Sequence, residues 1–155
     1  LVDYYSSRNQ MDTVRSIVSI AIEREPGNLF YRLARNTVQL TCGDYDDCIA
    51  LGDSLIHSND KMAEAYFNVG SSYFNKALQR ESKGRENRQK RKEVNALYEK
   101  AMPYLEEYRR QRPRAMLKWV PMLYSVYLNL NKGEQFDEMD SLLKSEKYNK
   151  LLKKG

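Results

Sequence analysis

Apolar residues recur at spacings of three and four along most of the chain, the spacing at which a helix buries one face. Read this way, the pattern predicts a short opening helix from Leu1 to about Arg8 and a second from about Gln10 to Arg24. Further helices follow at about Asn28–Leu40 and Tyr45–Ser58, separated by a turn at Gly43-Asp44 in which Asp44 is the expected N-cap. A long helix begins near Lys61, and its return helix ends near Gln111. The last pair is about Lys118–Asn131 and Glu134–Lys147, split at Gly133. Pro121 falls in the first turn of its helix, where proline is tolerated. Pro103 falls inside a helical series and is expected to kink it near Glu99. With 7 Gly and 4 Pro there is little turn material, which favours long helices over many short strands. The class expected is all-α.

The helices repeat. Shifted by about 34 residues, Val14, Val18, Ala21 and Pro26 fall on Cys48, Gly52, Leu55 and Asp60. The same shift brings Ala101, Leu105 and Tyr108 onto Gln135, Met139 and Leu142. Each series follows the inner face of a helix, and Pro26 and Pro113 each lie where one hairpin stops and the next starts. A plain helical bundle would account for the amphipathic faces but not for the period.

Tyr66-x2-Val69-Gly70-x2-Tyr73 resembles the first-helix signature of the tetratricopeptide repeat, in which a small residue lets two helices approach and aromatics fill the gaps beside it. Ala101-x3-Leu105 and Pro113 complete the second helix of that repeat, and Trp119-x3-Leu123-x3-Tyr127 opens the next. Phe30, Leu33, Ala34 and Thr37 keep the spacing two residues upstream of the strict period, with Thr37 in place of the second aromatic. Gly52 stands where the family usually has a larger apolar residue. The resemblance implies an α-α superhelix, a solenoid of about three to four helical hairpins spanning residues 1–155 as one domain. It also implies a non-enzymatic scaffold that holds a protein or peptide partner in its concave groove. Residues one and five places after the motif aromatic face that groove in the family. Here they are Phe67 and Ser71, with Phe74 and Asn75 one turn later, and then Val120 and Tyr124. Phe67 and Phe74 are candidate anchors for a partner, or equally residues buried by an adjacent hairpin. One subgroup of the family grips the C-terminal carboxylate of chaperones with basic residues and asparagines. Asn68 matches one asparagine of that clamp, but Leu117 and Pro121 occupy the places where basic residues are required, so the clamp is incomplete. Many bacterial proteins of similar appearance are exported, an implication of the resemblance alone. The chain starts mid-pattern and is expected to be the C-terminal part of a longer protein.

Charge changes the picture in one place. Pro113 follows Asp60 by 53 residues, a surplus of about 19 over one period. At its centre, residues 80–92 hold seven Lys or Arg against two Glu and no apolar side chain. Such a segment is expected to leave the core, either as a solvent-projecting extension of a hairpin or as a disordered loop. The projection is favoured by two i,i+4 pairs, Glu81–Arg85 and Glu86–Lys90. Gly84 ending the outgoing helix would remove the first. The stretch reads either as solvated surface or as a polyanion or nucleic-acid contact through Arg85, Arg88, Lys90 and Arg91. No aromatic lies between Phe74 and Tyr98 to stack on bases.

Chemistry adds little. Cys42 and Cys48 are the only cysteines and His57 the only histidine, too few for a metal site of their own, and whether the thiols pair is open. His57 has no evident partner for acid–base work and is expected on the surface. Neither a phosphate-cradling glycine motif nor a serine nucleophile elbow is present. The expectation is no catalytic residue, no cofactor and no metal. No apolar run reaches the roughly 18 residues of a membrane span. The Phe136, Met139, Leu142, Leu143 stripe is expected to seal the last hairpin, and the Lys-rich tail from Lys144 to Gly155 to fray.

Overall fold

The computed structural model describes residues 8–154; the expected opening helix, residues 1–7 of it, lies outside them. Among the described residues there are eight helices and no strand. They are α1 (Arg8–Arg24), α2 (Leu29–Cys42), α3 (Tyr45–Ser58), α4 (Ala63–Glu81), α5 (Arg88–Gln111), α6 (Met116–Asn129), α7 (Gly133–Lys144) and α8 (Glu146–Leu152). Helices next to each other in sequence pack together in the pairs α1–α2, α2–α3, α5–α6 and α6–α7, and α8 lies on both α6 and α7. No helix among the described residues is long and apolar enough to cross a membrane.

The turns carry the repeat into the backbone. After α1, Glu25 N–H donates to Ala21 O and Asn28 N–H to Glu25 O, each at 3.0 Å. After α3 the same two bonds run from Asn59 to Leu55 and from Met62 to Asn59. After α5 they run from Arg112 to Tyr108 and from Ala115 to Arg112. The three turns stand 34 and 53 residues apart, the period and the lengthened period of the sequence. The turns after α2 and α6 form a second matched set. Gly43 N–H donates to Leu40 O and Asp44 N–H to Gln39 O; Asn131 N–H donates to Leu128 O and Lys132 N–H to Tyr127 O. Both are closed by a left-handed residue at the helix C-terminus, Gly43 (φ 82°) and Asn131 (φ 53°). The left-handed position in the second is therefore Asn131, not Gly133, which is the first residue of α7.

Two other expectations change. Asp44 stands at the N-cap position of α3 but makes no capping hydrogen bond; its carboxylate accepts from Arg15 Nη2 at 2.7 Å instead. The tail is helical over Glu146–Leu152 rather than frayed. Ser145 Oγ accepts from Tyr148 N–H at 3.2 Å, capping α8, and Tyr148 is buried. One buried aromatic there outweighs the lysines around it. α5 continues through Pro103, which is exposed, as is Glu99, whose carbonyl loses its intrahelical donor and can be hydrated.

By its contacts the chain divides into two compact units, with the boundary inside α4 between Ser72 and Tyr73. In the first, Met11, Val14, Val18 and Val38 form an apolar cluster between α1 and α2. Beside it lies a buried polar ladder. Asn68 Nδ2 donates to Asn36 Oδ1 (2.8 Å) and Thr37 Oγ1 (3.1 Å), and Asn36 Nδ2 donates to Cys48 O (2.7 Å). Ser72 Oγ donates to Asn68 O at 2.8 Å. Thr37 stands in an aromatic's place because this ladder uses its hydroxyl. Gly52 is explained by contact as well: a Cβ on it would lie 2.3 Å from Val69 Cγ2 and 3.3 Å from Asn36 Nδ2. In the second unit the core is aromatic, built on Tyr98, Tyr108, Trp119 and Tyr127 with Leu105, Leu123 and Met139. Met139 of the expected sealing stripe is buried, and Phe136 rests on Tyr124 with ring centroids 4.8 Å apart.

Candidate functional site: a polar hollow on α2

α2 is started by Asn28 and is amphipathic because its apolar residues share one side. Asn28 Oδ1 accepts from the N–H groups of Phe30 (3.0 Å) and Tyr31 (3.4 Å), which fixes the helix phase. With Val38 and Asn36 facing inward, Arg35 and Gln39, one turn apart, look out over a channel walled by α1 and α3. Two hollows open along it, of about 170 Å³ and about 290 Å³, and both are lined by Arg35 and Gln39. The larger sits just below the roughly 300 Å³ at which small-molecule clefts begin. Being open to solvent, it suits a side chain of a bound segment better than an enclosed ligand.

The polar groups here are unequally occupied. Arg15 and Asp44 close one end as an ion pair, and Arg32 Nη2 donates to Ser54 Oγ at 2.9 Å. The Arg35 guanidinium is exposed and has no ion pair among the described residues, and Asp47 on the α3 wall has none either. Gln39 Oε1 is buried and accepts no hydrogen bond. A buried acceptor without a donor costs roughly 1–3 kcal/mol, and buried polar atoms are paired in the great majority of cases. An open polar hollow floored by an unmatched acceptor and a free guanidinium has the features of a recognition site.

Sequence reasoning missed both residues. In the 34-residue period that the turns keep, Arg35 and Gln39 correspond to Val69 and Tyr73, packing places of the motif, so no groove offset points to them. Phe30 itself, expected in a packing row, is 73% exposed at the first turn of α2.

The expected groove residues lie as follows. Ser71 and Val120 are buried and present no surface. Phe67 and Asn75 are half-buried. Phe74 sits edge-on to the buried Tyr98, centroids 5.6 Å apart, as a packing residue of the second unit. Tyr124 is half-buried against Phe136. Asn68, the residue matching a clamp asparagine, is buried in the polar ladder. Cys42 and Cys48 are both free thiols. Burial pushes the Cys48 thiol up, against a smaller lowering by its hydrogen bonds to Ser72 and Asn36, so it stays protonated at neutral pH. His57 is exposed.

At residues 80–92 the expected projection becomes a lengthened hairpin with a tight end. α4 stops at Glu81, Gly84 takes a left-handed conformation (φ 73°), and Asn87 Oδ1 caps α5 through Lys90 N–H at 2.8 Å. The break removes the expected Glu81–Arg85 pair; Glu81 meets Arg91 instead, at 3.5 Å. Lys90, expected among the exposed cations, is 4% exposed. Its ammonium donates to Gly84 O (3.3 Å) and pairs with Glu86 (3.5 Å). Arg91 also pairs with Glu86, and Arg80 pairs with Glu93. Lys83, Arg85, Arg88 and Lys92 are exposed and have no ion pair among the described residues. No protein-family model, no curated protein and no solved structure matches this chain.

Proposed function

We propose that this chain is a stack of helical hairpins of tetratricopeptide type, a non-enzymatic scaffold that holds a peptide or protein partner along α2. The reading is supported by the recurrence of one pair of turn hydrogen bonds at 25/28, 59/62 and 112/115, in step with the sequence period. The observation that carries the functional half is the open channel on α2, lined by Arg35 and Gln39. A peptide-display selection on the immobilised protein tests it. Enriched peptides should lose binding to Ala50→Trp, whose indole fills the larger hollow from the α3 wall. Failure to enrich any peptide, or enriched peptides that ignore Ala50→Trp, overturns the reading.

A second reading rests on the hairpin end. Its three acids are engaged by Arg80, Lys90 and Arg91, which leaves Lys83, Arg85, Arg88 and Lys92 for phosphates of a polyanion such as nucleic acid. With at most four phosphate contacts, duplex affinity would fall with salt at a log–log slope no steeper than about −3.6. A duplex affinity at low salt that is unchanged when all four residues become Gln removes this reading.

A further inference from the structure

We infer that the segment held on α2 is acidic and extended: a carboxylate pairs with Arg35 while a backbone N–H of the same segment donates to Gln39 Oε1. The inference rests on the groove reading above and adds the chemistry of the partner.

Two side chains one helical turn apart offer complementary halves of a recognition pair. Arg35 presents five donors in a planar fork and no acceptor, the geometry that fits a carboxylate bidentately. Gln39 presents an acceptor already out of water and unmatched. A donor brought to that oxygen gains a hydrogen bond with little further desolvation of the acceptor, and the broad torsion at the end of a glutamine lets the amide turn toward it. Side chains four apart on a helix have Cβ atoms about 5–6 Å apart. An extended chain rises about 3.3 Å per residue, so a carboxylate and a backbone N–H one or two residues away span that gap.

Charge points the same way. Arg32 and Arg35 both lie along the larger hollow, Arg32 held by the uncharged Ser54 hydroxyl and Arg35 by no partner among the described residues. The one acid beside them, Asp47, leaves a cationic excess. Arg15 and Asp44 neutralise each other at the far end and contribute no net charge. A basic segment would place its cation against two guanidinium groups; an acidic one meets them.

The test uses fluorescence anisotropy on the whole chain with three labelled decapeptides of alternating sequence. One carries Glu, one Gln and one Lys at every second position, with Ala between. The Glu peptide should bind at least tenfold more tightly than the Gln peptide, and the Lys peptide not measurably. Arg35→Glu should abolish binding of the Glu peptide and create binding of the Lys peptide, a reversal that loss of folding cannot produce. Gln39→Leu should weaken the Glu peptide about fivefold. Equal binding of the Glu and Gln peptides, or an Arg35→Glu variant that keeps the Glu peptide, overturns the inference. If display peptides blocked by Ala50→Trp turn out neutral or basic, the groove reading survives while the acidic partner does not. If display yields nothing, the groove itself is lost.

Discussion

The two units bury polar groups by different means. In the first, polar side chains pair with one another and with the backbone: Asn36, Asn68 and Thr37 bind along a ladder, with Ser72 on the Asn68 carbonyl, beside a close helix approach at Gly52. In the second, tyrosines carry their hydroxyls to acids. Tyr127 donates to Glu106 Oε1 at 2.8 Å, and the Tyr98 hydroxyl lies 3.5 Å from Glu81. Two of its cations are held too, Arg109 by Glu138 with its guanidinium 5.0 Å from the centre of the Trp119 ring, and Arg110 by Glu107. A ladder of amides demands exact partners and leaves no slack for added atoms. An aromatic core tolerates more, because its polar atoms sit at the rim. The contrast lies in how polar groups are held, since each unit keeps one buried acceptor without a donor among the described residues, Gln39 Oε1 on α2 and Asn95 Oδ1 on α5.

Breaking the contrast should cost most at Gly52. Gly52→Val drives side-chain atoms into Val69 and Asn36 and should cost about 3 kcal/mol by chemical denaturation, with partial recovery in the Gly52→Ala, Val69→Ala double variant. Asn36→Leu leaves Asn68 Nδ2 with Thr37 Oγ1 alone, takes the side-chain donor from Cys48 O, and should cost about 2 kcal/mol. Paired with Asn68→Leu, the double variant should lose less than the two single losses combined, since the two share one network. Additive losses would show that the two amides act independently rather than as one network.

In the second unit the handle is alkaline pH. Burial first, then the charge of Glu81 and the hydrogen bond to it, pushes the Tyr98 hydroxyl up to about 12. Folding thus holds it protonated. Its stabilising contribution is complete below about pH 10, where an unfolded tyrosine begins to ionise, and is lost as pH rises toward about 12. Tyr127 shifts in the same direction, again through burial first and Glu106 next. Tyr98→Phe should therefore raise the midpoint of alkaline unfolding followed by circular dichroism, and an unchanged midpoint would remove Tyr98 as a cause. The smallest effect belongs to Gln39→Leu, which removes an unmatched acceptor and should move stability by no more than about 0.5 kcal/mol. A large loss there would mean that the oxygen is already satisfied.

Much of this was legible in the sequence. Helix positions followed from apolar spacing, and the repeat followed from Val14, Val18 and Pro26 recurring as Cys48, Gly52 and Asp60. What escaped were features decided by contact rather than by pattern. Lys90 counts as a surface charge in any composition, yet Gly84 O and Glu86 draw its ammonium inward once the chain reverses at residues 82–87. Asn36 looks like a polar interruption of α2 until Asn68, 32 residues away, accounts for it. The orphaned oxygen of Gln39 has no sequence signal, because the period gives Gln39 the packing place of Tyr73.

The lengthened hairpin has a consequence for how such a chain can change. The buried row of α5, Val94, Tyr98, Ala101, Leu105 and Tyr108, advances by four, three, four and three residues. Seven residues make nearly two whole turns, with a drift of only about 20°. Material can therefore be spliced into or cut from this arm in sevens while every later side chain keeps its compass bearing. A single-residue insertion would swing the distal row by about 100°. Evolution or an engineer can treat the arm as a ruler graduated in heptads.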